Sequence, residues 1–343
     1  MSDNQSPKSS LPPLDRRELL AYAAWFGPAF LAAQGLAEAA EAAPQTAPAP
    51  ASKRYEMKKS INLWAFPYPQ KMSLLDCFRL AKDAGFDAVE VNFALEGDIS
   101  PAASDSQLRA IAAQARDIGL AISGLCSFLY WPYSLTAEDP QRRKRGMELA
   151  RQMIAAAHEL GTKNLLVIPG SVYIPWLPEM PAVPNDLCQQ RSCEAIGQLL
   201  PEAEKADVYL NLENIFANGF LFSPAEMNAF VDSFDHPRVR VHFDTGNIMQ
   251  YQFPEYWIRL LGNRIGNVHF KEYDKRAGTE FKLESFRPLL DGTTNWPAVI
   301  AALDSVGYRE YLTFEYFHPY THWPEALVYH TSDALDRMLG RKA

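Results

Sequence analysis

Val208-Tyr209-Leu210-Asn211-Leu212-Glu213 sets a pattern that recurs in Val239-Arg240-Val241-His242-Phe243-Asp244, in Asn267-Val268-His269-Phe270-Lys271 and in Tyr311-Leu312-Thr313-Phe314-Glu315. Successive side chains of a strand point to opposite faces. In each run one phase is apolar: Val208, Leu210 and Leu212; Val239, Val241 and Phe243; Val268 and Phe270; Leu312 and Phe314. The other phase carries the chemistry: Glu213, Asp244, His269 with Lys271, and Glu315. Ala88-Val89-Glu90-Val91-Asn92-Phe93 alternates in the same way. An unpaired buried charge costs several kcal/mol, so a polar phase inside a covered sheet must be paired or bind a metal.

Further β-rich runs at 60–66, 88–93, 121–128 and 164–168 precede these four, which extend over 208–215, 238–245, 265–271 and 311–317. Between and after them the spacing predicts helices over 73–84, 105–118, 140–160, 186–206, 224–234, 254–261, 296–306 and 324–339. Gly85, Gly119, Gly161 and Gly307 stand just past a helix and before a strand, where C-terminal caps belong. Eight β-α units in roughly 280 residues have the size and rhythm of a (β/α)8 TIM barrel, placed as a single α/β domain over residues 59–340. A doubly wound open sheet is the alternative. No Gly-x-Gly-x-x-Gly follows the first strand and no Walker loop is visible, so no nucleotide cofactor is expected.

In such a barrel the apolar phase packs on the outer helices and the polar phase faces inward. The active site sits at the C-terminal strand ends. Glu213, Asp244, His269 and Glu315 all stand near those ends, on consecutive strands. Two glutamates, an aspartate and a histidine form a shell for one divalent ion, and this donor mix suits Mn²⁺, Mg²⁺, Co²⁺ or Zn²⁺. The competing reading is a buried salt-bridge network with Arg240, His242 and Lys271. His242 is assigned to the core or to support behind the ligands. Trp64, Glu90, Asn247 and Lys271 are the candidate substrate-binding residues. Lys271 either meets a substrate oxygen or anion, or pairs with Glu272 or Glu90. Trp64, Phe66, Tyr130 and Trp131 either wall a substrate pocket or belong to the core.

Asn211-Leu212-Glu213-Asn214, His242-Phe243-Asp244-Thr245-Gly246-Asn247, Asn267-Val268-His269-Phe270-Lys271 and Thr313-Phe314-Glu315-Tyr316 resemble the xylose isomerase-like TIM-barrel superfamily. Within it they look most like the sugar phosphate isomerase/epimerase group, which includes D-tagatose 3-epimerase and L-ribulose-5-phosphate 3-epimerase. Gly85-Phe86-Asp87-Ala88-Val89-Glu90 resembles that group's entry to the second strand. The resemblance spans about residues 59–340. It implies that Glu213, Asp244, His269 and Glu315 hold one divalent metal and that Glu213 and Glu315 exchange protons with a ketose through an enediolate. Three positions depart from the D-tagatose 3-epimerase pattern. Asn247 stands where that group has His, Lys271-Glu272 follow His269 where it has Arg shortly after, and Leu290-Asp291-Gly292-Thr293 replaces Gly-Glu-Gly. Epimerisation, aldose–ketose isomerisation and dehydration or another lyase reaction on a keto-sugar or keto-polyol all remain open. A metal-independent glycoside hydrolase using the Glu213/Glu315 pair and a non-catalytic sugar-binding barrel are the readings from other classes.

Composition removes several alternatives. The 343 residues hold 33 Lys and Arg against 41 Asp and Glu, a formal net charge of −8. That balance lacks the basic footprint of nucleic-acid binders. Only 7 His are present and none precedes His158, so the early strands supply no His ligands of the abasic-site endonuclease kind. The partner expected is a small carbohydrate, with no nucleic acid. The 4 Cys are too few for a disulfide scaffold, and Cys188 and Cys193 fall on different faces of one helix.

Residues 1–58 read differently. Asp15-Arg16-Arg17-Glu18-Leu19-Leu20 precedes a weakly apolar Ala-rich stretch and then small residues suited to cleavage. The order resembles a twin-arginine export signal over residues 1–43, followed by a Pro/Ala-rich linker over 44–58. Gly27, Pro28 and Gln34 make the apolar stretch too short and polar for a stable membrane span, and no other run reaches spanning length. The expected location is periplasmic, with a cytoplasmic location as the alternative, and no membrane contact is expected for the mature chain.

Overall fold

A computed structural model gives the fold; the structure describes residues 53–216, 218–277 and 283–342. The assigned export signal and most of the Pro/Ala linker lie outside the described residues. Eight parallel strands alternate with helices: β1 Lys58–Asn62, α1 Leu74–Asp83, β2 Ala88–Asn92, α2 Asp105–Asp117, β3 Ala121–Cys126, α3 Pro140–Glu159, β4 Asn164–Val167 and α4 Asn185–Lys205 lead. β5 Tyr209–Glu213, α5 Pro224–Asp232, β6 Val239–Asp244, α6 Pro254–Leu261, β7 Ile265–Phe270, α7 Trp296–Ser305, β8 Tyr311–Phe314 and α8 Pro324–Met338 follow. β1 pairs with both β2 and β8, which closes the barrel in sequence order. Every expected strand and helix is present, with ends displaced by a few residues.

Local chemistry explains the helix starts. The Ser73 hydroxyl accepts the Asp76 N–H at the head of α1, and Ser104 with Gln107 forms a reciprocal capping box on α2. Asp139 caps α3, and proline stands in the first turn of α3, α5, α6, α7 and α8, where its missing N–H costs nothing. A two-stranded ribbon, Glu272–Tyr273 against Phe286–Arg287, projects from the loop after β7.

The apolar phase of the strands is the core. Leu210, Leu212, Val241, Phe243, Val268, Phe270, Leu312 and Phe314 are fully buried beneath the helices. Phe243 stacks on Trp257 of α6 and Phe270 lies against Trp296 of α7, with ring centroids 6.1 Å and 4.1 Å apart. Truncating either Phe to Ala would cost ~3–5 kcal/mol. The two ends of the barrel segment meet below the barrel: the Tyr55 N–H donates to the Leu339 carbonyl at 3.0 Å, and Arg341 donates to the Met57 carbonyl at 2.8 Å. All 4 cysteines are free thiols; Cys188 is buried and Cys193 exposed on α4. Among the described residues no helix is long and apolar enough to cross a membrane.

Candidate active site

The polar phase converges inside the barrel at its C-terminal end. One donor atom each from Glu213, Asp244, His269 and Glu315 lies within 4.8 Å of the other three, and all four residues are buried. Donors about one ion with bonds of ~2.0–2.2 Å are spaced on that scale. The orientation of His269 strengthens the fit. Its Nε2 stands 2.7 Å from Glu90 Oε2, while its buried Nδ1 has no hydrogen-bond partner. That Nδ1 faces Glu315 Oε1 at 3.5 Å, Glu213 Oε1 at 3.6 Å and Asp244 Oδ2 at 4.0 Å. A carboxylate behind an imidazole, with the second nitrogen open toward three oxygens, is how proteins present histidine to a divalent metal. The donor set therefore fits one such ion.

Side chains extend the strand ladder to fix these ligands. Asn214 Oδ1 accepts the Asp244 N–H and Asn214 Nδ2 donates to the Asp244 carbonyl, both at 2.8 Å, as a strand neighbour would. Asp244 Oδ1 accepts the N–H groups of Gly246 and Asn247, each at 2.8 Å, which leaves Oδ2 for the cluster. Gly246 is required there by space, since a Cβ would meet the Lys271 carbonyl oxygen and Cγ at 3.0 Å. Thr245 Oγ1 bonds the backbone N–H and carbonyl of Lys271, both at 2.9 Å, and sets that residue beside the ligands.

Lys271 is the cluster's cation. Its Nζ is 2.5 Å from Glu315 Oε2 and 3.3 Å from both Asp244 Oδ2 and Asn247 Oδ1. It does not pair with Glu272 or Glu90. The Glu272 carboxylate is taken by Trp296 Nε1 at 2.6 Å and by Thr294 Oγ1 at 2.5 Å, which ties the ribbon to the head of α7. Arg240 also lies apart from the cluster: it donates to the Asn263 carbonyl at 2.7 Å and covers Tyr209 at the other end of the barrel. His242 is buried edge-on against His269, ring centroids 4.1 Å apart, with no hydrogen bond to either ring nitrogen. Its imidazole is pushed toward neutrality by burial and by the neighbouring His269 and Lys271 charges. Burial pushes the Asp244 carboxyl up to about 7 against the lowering pull of Lys271. Burial also raises Glu213. For Glu315, burial is outweighed by the Lys271 and His269 charges, and its carboxyl stays below the usual range.

Glu213 and Glu315 border a cavity of about 210 Å³ above the cluster, together with Asn247, Lys271 and Trp64. Asp244 and His269 lie beneath and do not line it. Glu90, expected at the substrate, stands behind His269 instead, because its Oε2 accepts from His269 and from Asn62 Nδ2 at 2.6 Å. Of the four aromatics assigned to a pocket or the core, Trp64 and Trp131 line the cavity; Phe66 and Tyr130 are buried away from it. Phe128, Trp176, Phe216 and Phe317 also line it and were not anticipated. Phe128 and Phe317 close the expected strands 121–128 and 311–317, just past the observed strand ends, whereas Trp176 and Phe216 lie outside the expected strands.

Comparison with known proteins bears on the same barrel. The chain is 26% identical over 240 residues to L-ribulose 3-epimerase of Mesorhizobium japonicum, covering 69% of this chain and 73% of the relative. It is 25% identical over 238 residues to L-ribulose-5-phosphate 3-epimerase of Salmonella paratyphi C, covering 68% and 78%. The solved D-psicose 3-epimerase of Clostridium cellulolyticum H10 superposes with a TM-score of 0.68 at 18% identity, covering 82% of this chain and 98% of that one. The sequence model of the xylose isomerase-like TIM-barrel family matches residues 78–338, and the chain belongs to that family.

Proposed function

We propose that this protein is a divalent-metal-dependent isomerase or epimerase of an unphosphorylated keto-sugar. One observation carries the reading: of the four clustered donors, only Glu213 and Glu315 reach the cavity, from β5 and from just beyond β8 with β6 and β7 between. Two carboxylates entering from separated strands suit removal of a proton on one face of a carbon and delivery on the other. Glu213, Asp244, His269 and Glu315 would hold Mn²⁺, Mg²⁺, Co²⁺ or Zn²⁺, and the bound ion would acidify the C–H next to a ketose carbonyl and stabilise the enediolate. Lys271 and Asn247 orient substrate oxygens at the cavity floor. The catalogued relatives are epimerases of ribulose or its phosphate. Among the described residues no arginine lines the cavity, and Lys271 is already paired with Glu315 and Asp244, which favours an unphosphorylated sugar. The same chemistry would support a lyase if a β-hydroxyl left the enediolate. We assign residues 1–43 to an export signal and the mature barrel to the periplasm, where unphosphorylated sugars are met.

The test is turnover of a panel of free ketoses by purified protein, before and after chelation and with each metal restored. Metal-restored interconversion supports the reading. Chelator-insensitive glycoside cleavage would replace it with the hydrolase reading.

A further inference from the structure

The cavity has two chemically different zones. Its floor is polar: Glu213, Glu315, Lys271 and Asn247. Its walls are aromatic and fall into two groups of three. Trp64, Phe128 and Phe317, from the loops after β1, β3 and β8, pack with centroids 4.7–5.6 Å apart. Trp131, Trp176 and Phe216, from the loops after β3, β4 and β5, form the second group. There Trp131 meets Trp176 edge-on at 4.8 Å, and Phe216 stands 5.8 Å from Trp176. Among the described residues above the floor, Ser127 and His318 offer polar side chains, and the tryptophans add single indole N–H groups.

This division constrains the substrate. The floor can engage the few polar atoms about one reacting carbon. An open-chain sugar carries a hydroxyl on every further carbon, and each would lose its water with little to replace it, at a cost of ~1–3 kcal/mol per unpaired group. A closed ring also carries hydroxyls, but it holds them at its edge and presents C–H faces that pack on aromatic rings. The second group also runs outward: Trp131 and Phe216 are 8% exposed, whereas Trp176 is 40% exposed. Trp131 belongs to the core and also lines the cavity, so the three rings run from the core to the cavity mouth, as a ligand-facing apolar wall does.

Resting on the isomerase reading for the floor, we propose that Trp131, Trp176 and Phe216 form a second-ring subsite, so that the substrate is a glycoside: a ring-closed keto-sugar bearing another ring on its glycosidic oxygen. The shared chemistry is a flat apolar face, supplied either by an aryl group or by a second pyranose.

Binding of three probes to the metal-loaded full chain, by calorimetry, tests this without requiring turnover: methyl β-D-glucoside, phenyl β-D-glucoside and methyl β-cellobioside. At least one two-ring probe is expected to bind tenfold or more tighter than the one-ring probe, and the better of the two identifies the second ring. In Trp176→Ala that ratio should fall toward one, while Trp176→Phe keeps most of it; the exposed position makes both substitutions tolerable to folding. Ratios below threefold for both two-ring probes, or a ratio unchanged in Trp176→Ala, would overturn the subsite. The isomerase reading fails separately. If the tenfold ratio holds and no keto-sugar is turned over, the subsite stands and the catalytic assignment falls; if ketoses turn over and the ratio is near one, the subsite alone falls.

Discussion

Glu90→Gln removes one charge from behind His269 and almost no volume. Glu90 is 1% exposed, and its Oε2 takes the His269 Nε2 contact at 2.7 Å and the Asn62 Nδ2 bond at 2.6 Å. A glutamine carbonyl placed at Oε2 keeps both bonds. Its amide nitrogen then falls at Oε1, which has no partner; Asn267 likewise has none, and both border the same point above Gly124. The substitution therefore isolates the carboxylate's charge, which makes the imidazole a stronger donor to a metal through Nδ1. Supporting carboxylates of this kind contribute ~10–100-fold to metal affinity, or ~1.4–2.7 kcal/mol at ~1.4 kcal/mol per tenfold. The assay is competition between protein and a chelator for Mn²⁺ or Co²⁺ at fixed pH, with circular dichroism to check the fold. Affinity within twofold of the parent in a folded variant would refute the argument that Glu90 acts on the metal through His269.

Asp244→Ala and His269→Ala should each abolish stoichiometric divalent metal; full occupancy by elemental analysis in either variant removes that residue from the shell. Metal binding should weaken as pH falls. Burial pushes the Asp244 carboxyl up to about 7, so below that pH the ion must displace its proton, and affinity should drop about tenfold per unit; a flat profile between pH 7 and 5 contradicts this. Changing Arg16 and Arg17 together to Lys should retain the protein in the cytoplasm of a host with twin-arginine export, read by fractionation; unchanged export would reject the twin-arginine assignment.

Much of this molecule is legible in its sequence because a parallel barrel writes its two faces as strict alternation. Val241 and Phe243 against His242 and Asp244 give strand, burial and direction together, and glycines such as Gly85 and Gly119 mark where helices stop. Glu213, Asp244, His269 and Glu315 follow from the same phase. Glu90 was harder: its phase points inward, but only the three-dimensional register sets it behind His269 rather than at the cavity. For Lys271 the sequence offered Glu272 and Glu90 as partners; the fold instead brings Glu315 and Asp244 to its Nζ. Trp176 and Phe216 lie in loops whose course depends on contacts far apart in the chain, so no local period announces them, whereas Phe317 shares the phase of Glu315. Asn214 stands in a motif, yet its service as a surrogate strand for Asp244 is visible only from the paired 2.8 Å bonds.

The most direct test of the account concerns the two glutamates that reach the cavity. Glu213→Gln and Glu315→Gln each keep a side chain of the same size and lose the proton-transferring oxygen. Each should remain folded and lose ~10²–10⁴-fold in interconversion of an active keto-sugar, the scale of one positioned acid–base group. In heavy water, at least one variant should still exchange the substrate's reactive C–H for deuterium without forming product, because the remaining carboxylate works its own face. Near-normal product formation by either variant would contradict the two-carboxylate mechanism and reduce that glutamate to a ligand or a structural group.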